Sequence, residues 1–258
     1  MTTPTLAATL ALTMVAGGVL GMLGGGGSIL CVPILLYVAR LPPDEAIATS
    51  LVVVGTTSAL GAAVRLRARQ VHVRVGLAVG GFGMLGAVVG ARLGALVPPA
   101  ALVYGFIAIM AMAGLAMLRP RRDVDAEPDP PARPHVALGA VLGTAVGMVT
   151  GLVGAGSFLI VPALTLAAAL PIGQAIGTAM MVMALQASAA LAGKLDHVHV
   201  DARLATALTV AAVAGMLVGS RLAGRLAPAT LRRGFGGFLL VVASVMIIHL
   251  LAAGGGSG

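Results

Sequence analysis

The chain carries one passage twice. Gly24-Gly25-Gly26-Gly27-Ser28-Ile29-Leu30-Cys31-Val32-Pro33 returns 129 residues later as Val153-Gly154-Ala155-Gly156-Ser157-Phe158-Leu159-Ile160-Val161-Pro162, and both copies lie inside strongly apolar stretches. The same offset of 129 joins Leu41-Pro42 to Leu170-Pro171, Thr49 to Thr178, Gly86 to Gly215, Gly90 to Gly219, Arg92 to Arg221 and Gly105-Phe106 to Gly234-Phe235. One module is used twice. A duplicated, glycine-broken apolar segment is the best sequence pointer to the binding site of a membrane carrier.

The surroundings of the repeat place it in a membrane. Hydrophobic residues make up 59% and charged residues 9%, where a soluble chain has about a quarter charged, and mean hydropathy is +1.07. The chain reads as an integral membrane protein in contact with the lipid bilayer. Its 16 Lys and Arg against 8 acids sit between apolar stretches, with aromatics at 3% and no Trp, so they read as orientation signals and not as a nucleic-acid surface. Cys31 is the single cysteine, which excludes an internal disulfide and a cysteine metal cluster. Leu6 to Leu23 has no basic segment before it and reads as a retained membrane helix, not a cleaved leader.

Apolar segments run over Leu6–Leu23, Ser28–Ala39, Ala46–Leu66, Val75–Val97 and Ala101–Leu118, and again over Val136–Val153, Ser157–Leu170, Gly173–Gly193, Leu204–Leu226 and Leu231–Ala252. The expected fold is an all-α integral membrane protein of two homologous repeats, 1–118 and 136–253, each with four long helices and one short broken or re-entrant helix. Between them 119–135 collects prolines, acids and arginines and reads as a hydrophilic cytoplasmic linker. The tail 254–258 has the composition of a flexible linker and is set aside.

The short segments would rise about 18 to 21 Å, less than the roughly 30 Å of hydrocarbon, so neither spans alone. Either helix and short segment make one broken crossing, or they make a hairpin. Arg65, Arg67, Arg69 and Arg74 place the loop after Leu66 in the cytoplasm, and Arg119, Arg121 and Arg122 place the linker there too. Arg221, Arg225, Arg232 and Arg233 do the same for the connection after Leu226, whereas Lys194 to Arg203 is balanced by Asp196 and Asp201. This favours inverted topology. The alternative is a parallel repeat in which each glycine break interrupts a single crossing.

Irregular backbone at membrane depth is tolerated only where it is buried in protein or lines a wet cavity. Ser28 and Ser157 occupy expected N-cap positions, and two helix starts meeting near the pseudo-symmetry axis would offer N–H donors and partial positive charge to an anion. The candidate substrate-binding residues are therefore Gly24, Gly25, Gly26, Gly27, Ser28 and Thr49 in the first copy. Gly154, Ala155, Gly156, Ser157, Thr178 and Gln186 are those of the second. Close helix packing is the competing explanation for the glycines. Further hydroxyls follow the breaks, namely Ser50, Thr56, Thr57, Ser58 and Ser188, and many of these will bond their own helix. Pro33 and Pro162 delete a donor inside the short helices and shape the opening. Gly86, Gly90 and Gly94, Gly215 and Gly219, and the ladder Gly139, Gly143, Gly147 and Gly151 read as helix-packing stripes.

Arg92 and Arg221 read as snorkelling ends or functional charges. Asp44, Glu45, Asp196 and Asp201 fall at loops, as do His72, His197 and His199, so no segment interior holds a proton-relaying carboxylate. Neither glycine run has the Lys-Ser/Thr of a phosphate loop, and the membrane serines lack an embedded His or Asp partner. Neither cofactor, nor metal, nor catalytic residue is expected, and the chain is not read as an enzyme.

Two glycine-rich breaks ending in Ser-x-x-x-Val-Pro, a helix after each and a central hydrophilic linker resemble the sulfite exporter TauE/SafE family of membrane permeases, over nearly the whole chain from Leu6 to Leu251. The resemblance implies export of sulfite, sulfonates or related small sulfur-containing anions across the cell's inner (plasma) membrane. It also implies glycine-rich segments near the substrate path, which are Gly24 to Ser28 with Pro33, and Gly154, Gly156 and Ser157 with Pro162. The second copy departs at Val153 and Ala155, which implies a tighter break. The expected activity is secondary transport by alternating access at a midplane site between the repeats, with a passive anion channel and a non-transporting scaffold subunit as alternatives.

Overall fold

The structure, a computed structural model, describes residues 3–25, 27–94, 96–118, 136–153, 170–194 and 200–223, together with 160, 161, 164, 198 and scattered positions between 230 and 248. The described residues are helical apart from short turns, with no strand among them. The helices are α1 (Thr3–Leu23), α2 (Ser28–Pro33), α3 (Pro43–Arg67), α4 (Val73–Gly94), α5 (Pro99–Leu118), α6 (Val136–Val153), α7 (Ile172–Ala192) and α8 (Ala202–Ala223). α2 runs on into a π-helical turn, Ile34–Val38. Among the described residues five helices, α1, α3, α4, α7 and α8, are long and apolar enough to cross a membrane, and the protein is a multi-pass membrane protein.

The local chemistry explains the limits of the helices. α3 starts three residues before the apolar run because Pro43 takes the first-turn position and Asp44 and Glu45 follow it, while Arg65 and Arg67 fill its last turn. Those charges oppose the helix dipole at both ends. Helix α7 likewise follows Pro171 directly. The expected segments Ser157–Leu170 and Leu231–Ala252 lie mostly outside the described residues, as do the linker 119–135 and the tail 254–258.

Packing follows the membrane rule that small residues face inward. Along α4 the buried side is Gly76, Gly80, Gly83, Gly86, Ala87 and Gly90, while Leu77, Phe82, Leu85 and Val89 are exposed, Leu85 by 65%. Without a hydrophobic drive between helices in lipid, close backbone approach is what holds them. A Cβ on Gly17 would strike the Ala212 carbonyl and one on Gly21 the Met216 carbonyl, and from the other side Gly215 meets Met14 and Gly219 meets Gly18. These contacts make the α1–α8 crossing.

The α4–α6 crossing repeats it residue for residue. Gly147 faces the Gly83 carbonyl, Gly151 that of Ala87, Gly86 that of Thr144 and Gly90 that of Met148. The glycine stripes expected on these helices are therefore packing surfaces. Positions on α4 and α8 correspond at the offset of 129, whereas those on α1 and α6 correspond at 130. One residue fewer thus lies in the second break.

The same contacts fix directions. Numbers rise together along α1 with α8 and along α4 with α6. They also rise together along α4 with α7, where Gly76 lies by Thr178 and Gly83 by Gln186. Across α3 and α7 they run oppositely, with Gly55 beside Ala187 and Gly61 beside Met180. The turns before α3 and before α7 therefore lie at opposite ends of the bundle.

Candidate functional site

The first glycine break is a reversal. The Gly24 N–H donates to the Leu20 carbonyl at 2.8 Å, and Gly24 takes φ +70, the left-handed cap that favours glycine. A Cβ there would also strike Ile176 on α7. Gly27 then packs back on Ala16 and Leu20, so α2 begins beside the last two turns of α1.

One expectation is corrected at this point. Gly27, not Ser28, is the N-cap, and no side chain caps α2. The Ser28 hydroxyl turns back and donates to the Gly25 carbonyl at 2.8 Å. Further on, Pro33 has no N–H to give, and the helix loosens into the π turn, where the Ala39 N–H reaches the Ile34 carbonyl at 3.0 Å. Gly24 and Gly25 are buried. Gly26, Gly154, Ala155, Gly156 and Ser157 lie outside the described residues.

Thr49 and Thr178 do not meet. With α3 and α7 antiparallel, Thr178 levels with the Arg65 end of α3, about 22 Å along the axis from Thr49 at 1.5 Å per residue. The Thr178 hydroxyl accepts the His72 N–H at 2.9 Å, and Gly177 beside it lies under the Gln70 carbonyl. Thr178 thus ties the α3–α4 turn to α7. Thr49 is buried at the opposite end.

The middle of the bundle is where polar groups go unanswered. Thr57 Oγ1, Ser58 Oγ and Gln186 Nε2 are buried side-chain atoms with no hydrogen-bond partner among the described residues. All three residues are 0% exposed. Thr57 borders a gap of about 10 Å³ with Ala16, Leu20, Gly27, Cys31 and Val54, barely the room of one water. Gln186 lies flat across Gly83, its Oε1 3.3 Å from the Thr150 hydroxyl, which also donates to the Val146 carbonyl at 2.9 Å. Leaving a buried polar atom unpaired costs about 1–3 kcal/mol. Thr57 and Ser58 on α3 and Gln186 on α7 lie near one level of the antiparallel pair, Thr57 toward α1, α2 and α8 and the Gln186 amide toward α4 and α6.

Two largely buried cations lie at opposite ends of the α3–α7 pair. The Arg65 Nη2 donates to the Gly21 carbonyl at 3.0 Å and its Nη1 to Gln70 Oε1 at 3.2 Å. Lys194, 129 residues on, is only 5% exposed. Its Nζ lies by Gly94, whose Cβ position also faces the Leu152 carbonyl. Desolvation pushes the Lys194 ammonium below the ordinary lysine value, and Asp44 opposes that shift. The sequence reading took Arg65 and Lys194 only as orientation signals. Their shared offset was the available sign that they form a pair. Arg92, Arg221 and His72 are exposed, and no cluster of metal-ligating side chains occurs among the described residues.

Comparison with known proteins agrees with a transport role. The family profile described as "Sulfite exporter TauE/SafE" matches residues 9–246. A probable membrane transporter protein of Xylella fastidiosa (strain 9a5c) is 33% identical over 96% of this chain and 97% of its own length. The probable membrane transporter protein YdhB of Bacillus subtilis (strain 168) is 28% identical over 80% of this chain and 85% of its own. No solved structure matches.

Proposed function

The chain belongs to the sulfite exporter TauE/SafE family of membrane transporters, and from that premise we propose that it is a secondary transporter exporting a small anion. Sulfite, a sulfonate or another sulfur-containing oxyanion is the cargo, and the inner (plasma) membrane is the location. The observation that carries the reading is the trio of orphan donors, Thr57 Oγ1, Ser58 Oγ and Gln186 Nε2, buried near one level of the α3–α7 pair. Neutral hydroxyl and amide donors can replace an oxyanion's water shell without holding it as tightly as a buried guanidinium would. Their desolvation cost is recovered only when an acceptor arrives.

Transport proceeds by alternating access between two inverted repeats. The opposed directions of α3 and α7 support this, as do the matched α1–α8 and α4–α6 crossings, which could rock as units about the middle. The Arg65 end, with Arg67, Arg69 and Arg74, faces the cytoplasm. Gly24 to Ser28 and the equivalent segment from Gly154 to Ser157 border the path, with Thr49 and Thr178 toward its two ends.

Purified protein in liposomes loaded with labelled sulfite, sulfate, thiosulfate or taurine tests this. Uphill flux of one of these under an imposed proton gradient is the expected result. Flux indifferent to any gradient would make the protein a channel, and absence of both flux and anion-dependent thermal shift would leave it a scaffold.

A further inference from the structure

We propose that Arg65 and Lys194 are paired gate cations at opposite doorways, Arg65 latched to a main-chain carbonyl while its doorway is shut and released from it by the arriving oxyanion. This rests on the reading of the protein as an anion transporter. The two residues hold the same place in their halves, at the offset of 129, just at or past the C-terminal end of α3 and of α7. Because those helices are antiparallel, the cations stand at opposite mouths of the bundle.

Arg65 meets the carbonyl end of its own half's first helix, and Lys194 stands at the corresponding level of the second half. Arg65 grips the Gly21 carbonyl, one turn before the glycine reversal. Lys194 sits beside Gly94 and near the Leu152 carbonyl, in the last turns of α4 and α6. Unpaired carbonyls at a helix C-terminus carry partial negative charge and attract a cation. Burying a cation there is costly, and such residues mark ion paths. The Arg65 contact is to a carbonyl and not to a carboxylate, so an oxyanion is a stronger acceptor than the group it would displace, whereas Lys194 stands within the field of Asp44.

The consequence at the Arg65 mouth is mechanical. Gly21 holds the end of α1, and beyond it the chain turns through Gly24 to reach Gly27 and Cys31 against the central gap. When Arg65 leaves Gly21 for an anion, the reversal is freed on that side alone. Gln70 braces the same guanidinium, and the turn that carries it is tied to α7 through His72 and Thr178. A single exchange of partners therefore couples the first half to the second.

Cys31, the single cysteine, gives a readout other than flux. In vesicles with the Arg65 face outward, the labelling rate of Cys31 by a membrane-impermeant maleimide is measured in wild type, Arg65→Gln, Gln70→Ala and Lys194→Gln. Loss of one charged hydrogen bond is expected to speed labelling about tenfold in Arg65→Gln and less in Gln70→Ala, with Lys194→Gln unchanged. Sulfite is expected to speed it in wild type and not in Arg65→Gln. For the other mouth, Ile160→Cys in a Cys31→Ser background reports from the opposite face and responds to Lys194→Gln alone. Equal acceleration by Arg65→Gln and Lys194→Gln at one reporter, or none by Arg65→Gln and Gln70→Ala, overturns the latch. Acceleration by Arg65→Gln with no response of wild type to sulfite, sulfate, thiosulfate or taurine removes the anion as the releasing agent and overturns the gate, while the transport reading stands or falls on the flux measurement.

Discussion

Thr57 and Gln186 stand 129 residues apart on α3 and α7, and each ends in a buried polar atom that nothing among the described residues satisfies. Stability alone would remove such atoms, since a valine at position 57 keeps the shape and drops the desolvation cost. Thr57→Val is therefore expected to raise stability by about 1 kcal/mol while lowering apparent affinity for the transported anion. Thermal unfolding in detergent and flux in liposomes read the two effects separately. A variant that is more stable and equally active would remove Thr57 from the anion's path.

Gln186→Leu differs in kind. The Thr150 hydroxyl keeps the Val146 carbonyl when the glutamine oxygen is lost, so stability should change by less than about 1 kcal/mol. Flux should fall by an order of magnitude or so, since one donor to a charged acceptor goes missing. Gln186→Asn, with the same amide on a shorter arm, should recover part of it. Equal flux in all three proteins would show that this amide never meets cargo.

The glycine crossings give an internal control. Gly17 faces the Ala212 backbone, which cannot step aside, whereas Gly81 has nothing within 4 Å of where a Cβ would stand. Gly17→Ala is expected to lose roughly 1–3 kcal/mol by overpacking. Gly81→Ala should be neutral or slightly stabilising, because alanine suits a helix interior better than glycine. Folded yield on size exclusion and melting temperature decide the comparison.

These crossings were legible in the sequence because glycine at four-residue spacing in an apolar helix has one common use. The helix limits were legible as well, within a few residues, where proline and charge mark them. The slip from 129 to 130 was not. Gly24 to Gly27 aligns with Val153 to Gly156 or with Gly154 to Ser157 almost equally well, and only the backbone contacts of α6 choose between the registers. Gln186 stood out as an amide in an apolar run, but no pattern tells which hydroxyls near it find partners. Thr178, an apparent counterpart of Thr49, is engaged by His72, a residue more than a hundred positions away. Ser28 failed as an N-cap because a carbonyl of the preceding loop lay within reach of its hydroxyl.

Gly24 is the one described position of the break where both conformation and space demand glycine. At φ +70 an alanine costs about 1–2 kcal/mol by backbone strain alone, and its Cβ would meet Ile176 besides. Gly24→Ala should slow transport more than it lowers folded yield, since the reversal is displaced before the helix crossings are. Adding Ile176→Ala should restore part of the loss, the steric part, and leave the strain. Absence of any rescue would mean that the α1–α7 contact at this point carries no weight.

Lys194 makes the two mouths respond differently to pH. Desolvation lowers its pKa from 10.5, with Asp44 pulling the other way, so it loses its proton on alkalinisation before an exposed lysine does. In the window between its lowered value and 10.5 the folded protein holds fewer protons than the unfolded chain, and stability therefore rises with pH. Anion capture at that mouth falls over the same window, because the neutral amine no longer attracts the cargo. Uptake measured from the Lys194 face should decline on alkalinisation at lower pH than an exposed lysine would impose, and Lys194→Arg should flatten the decline, since arginine keeps its proton throughout. A decline that persists unchanged in Lys194→Arg would assign the pH dependence to another group and leave Lys194 without a part in capture.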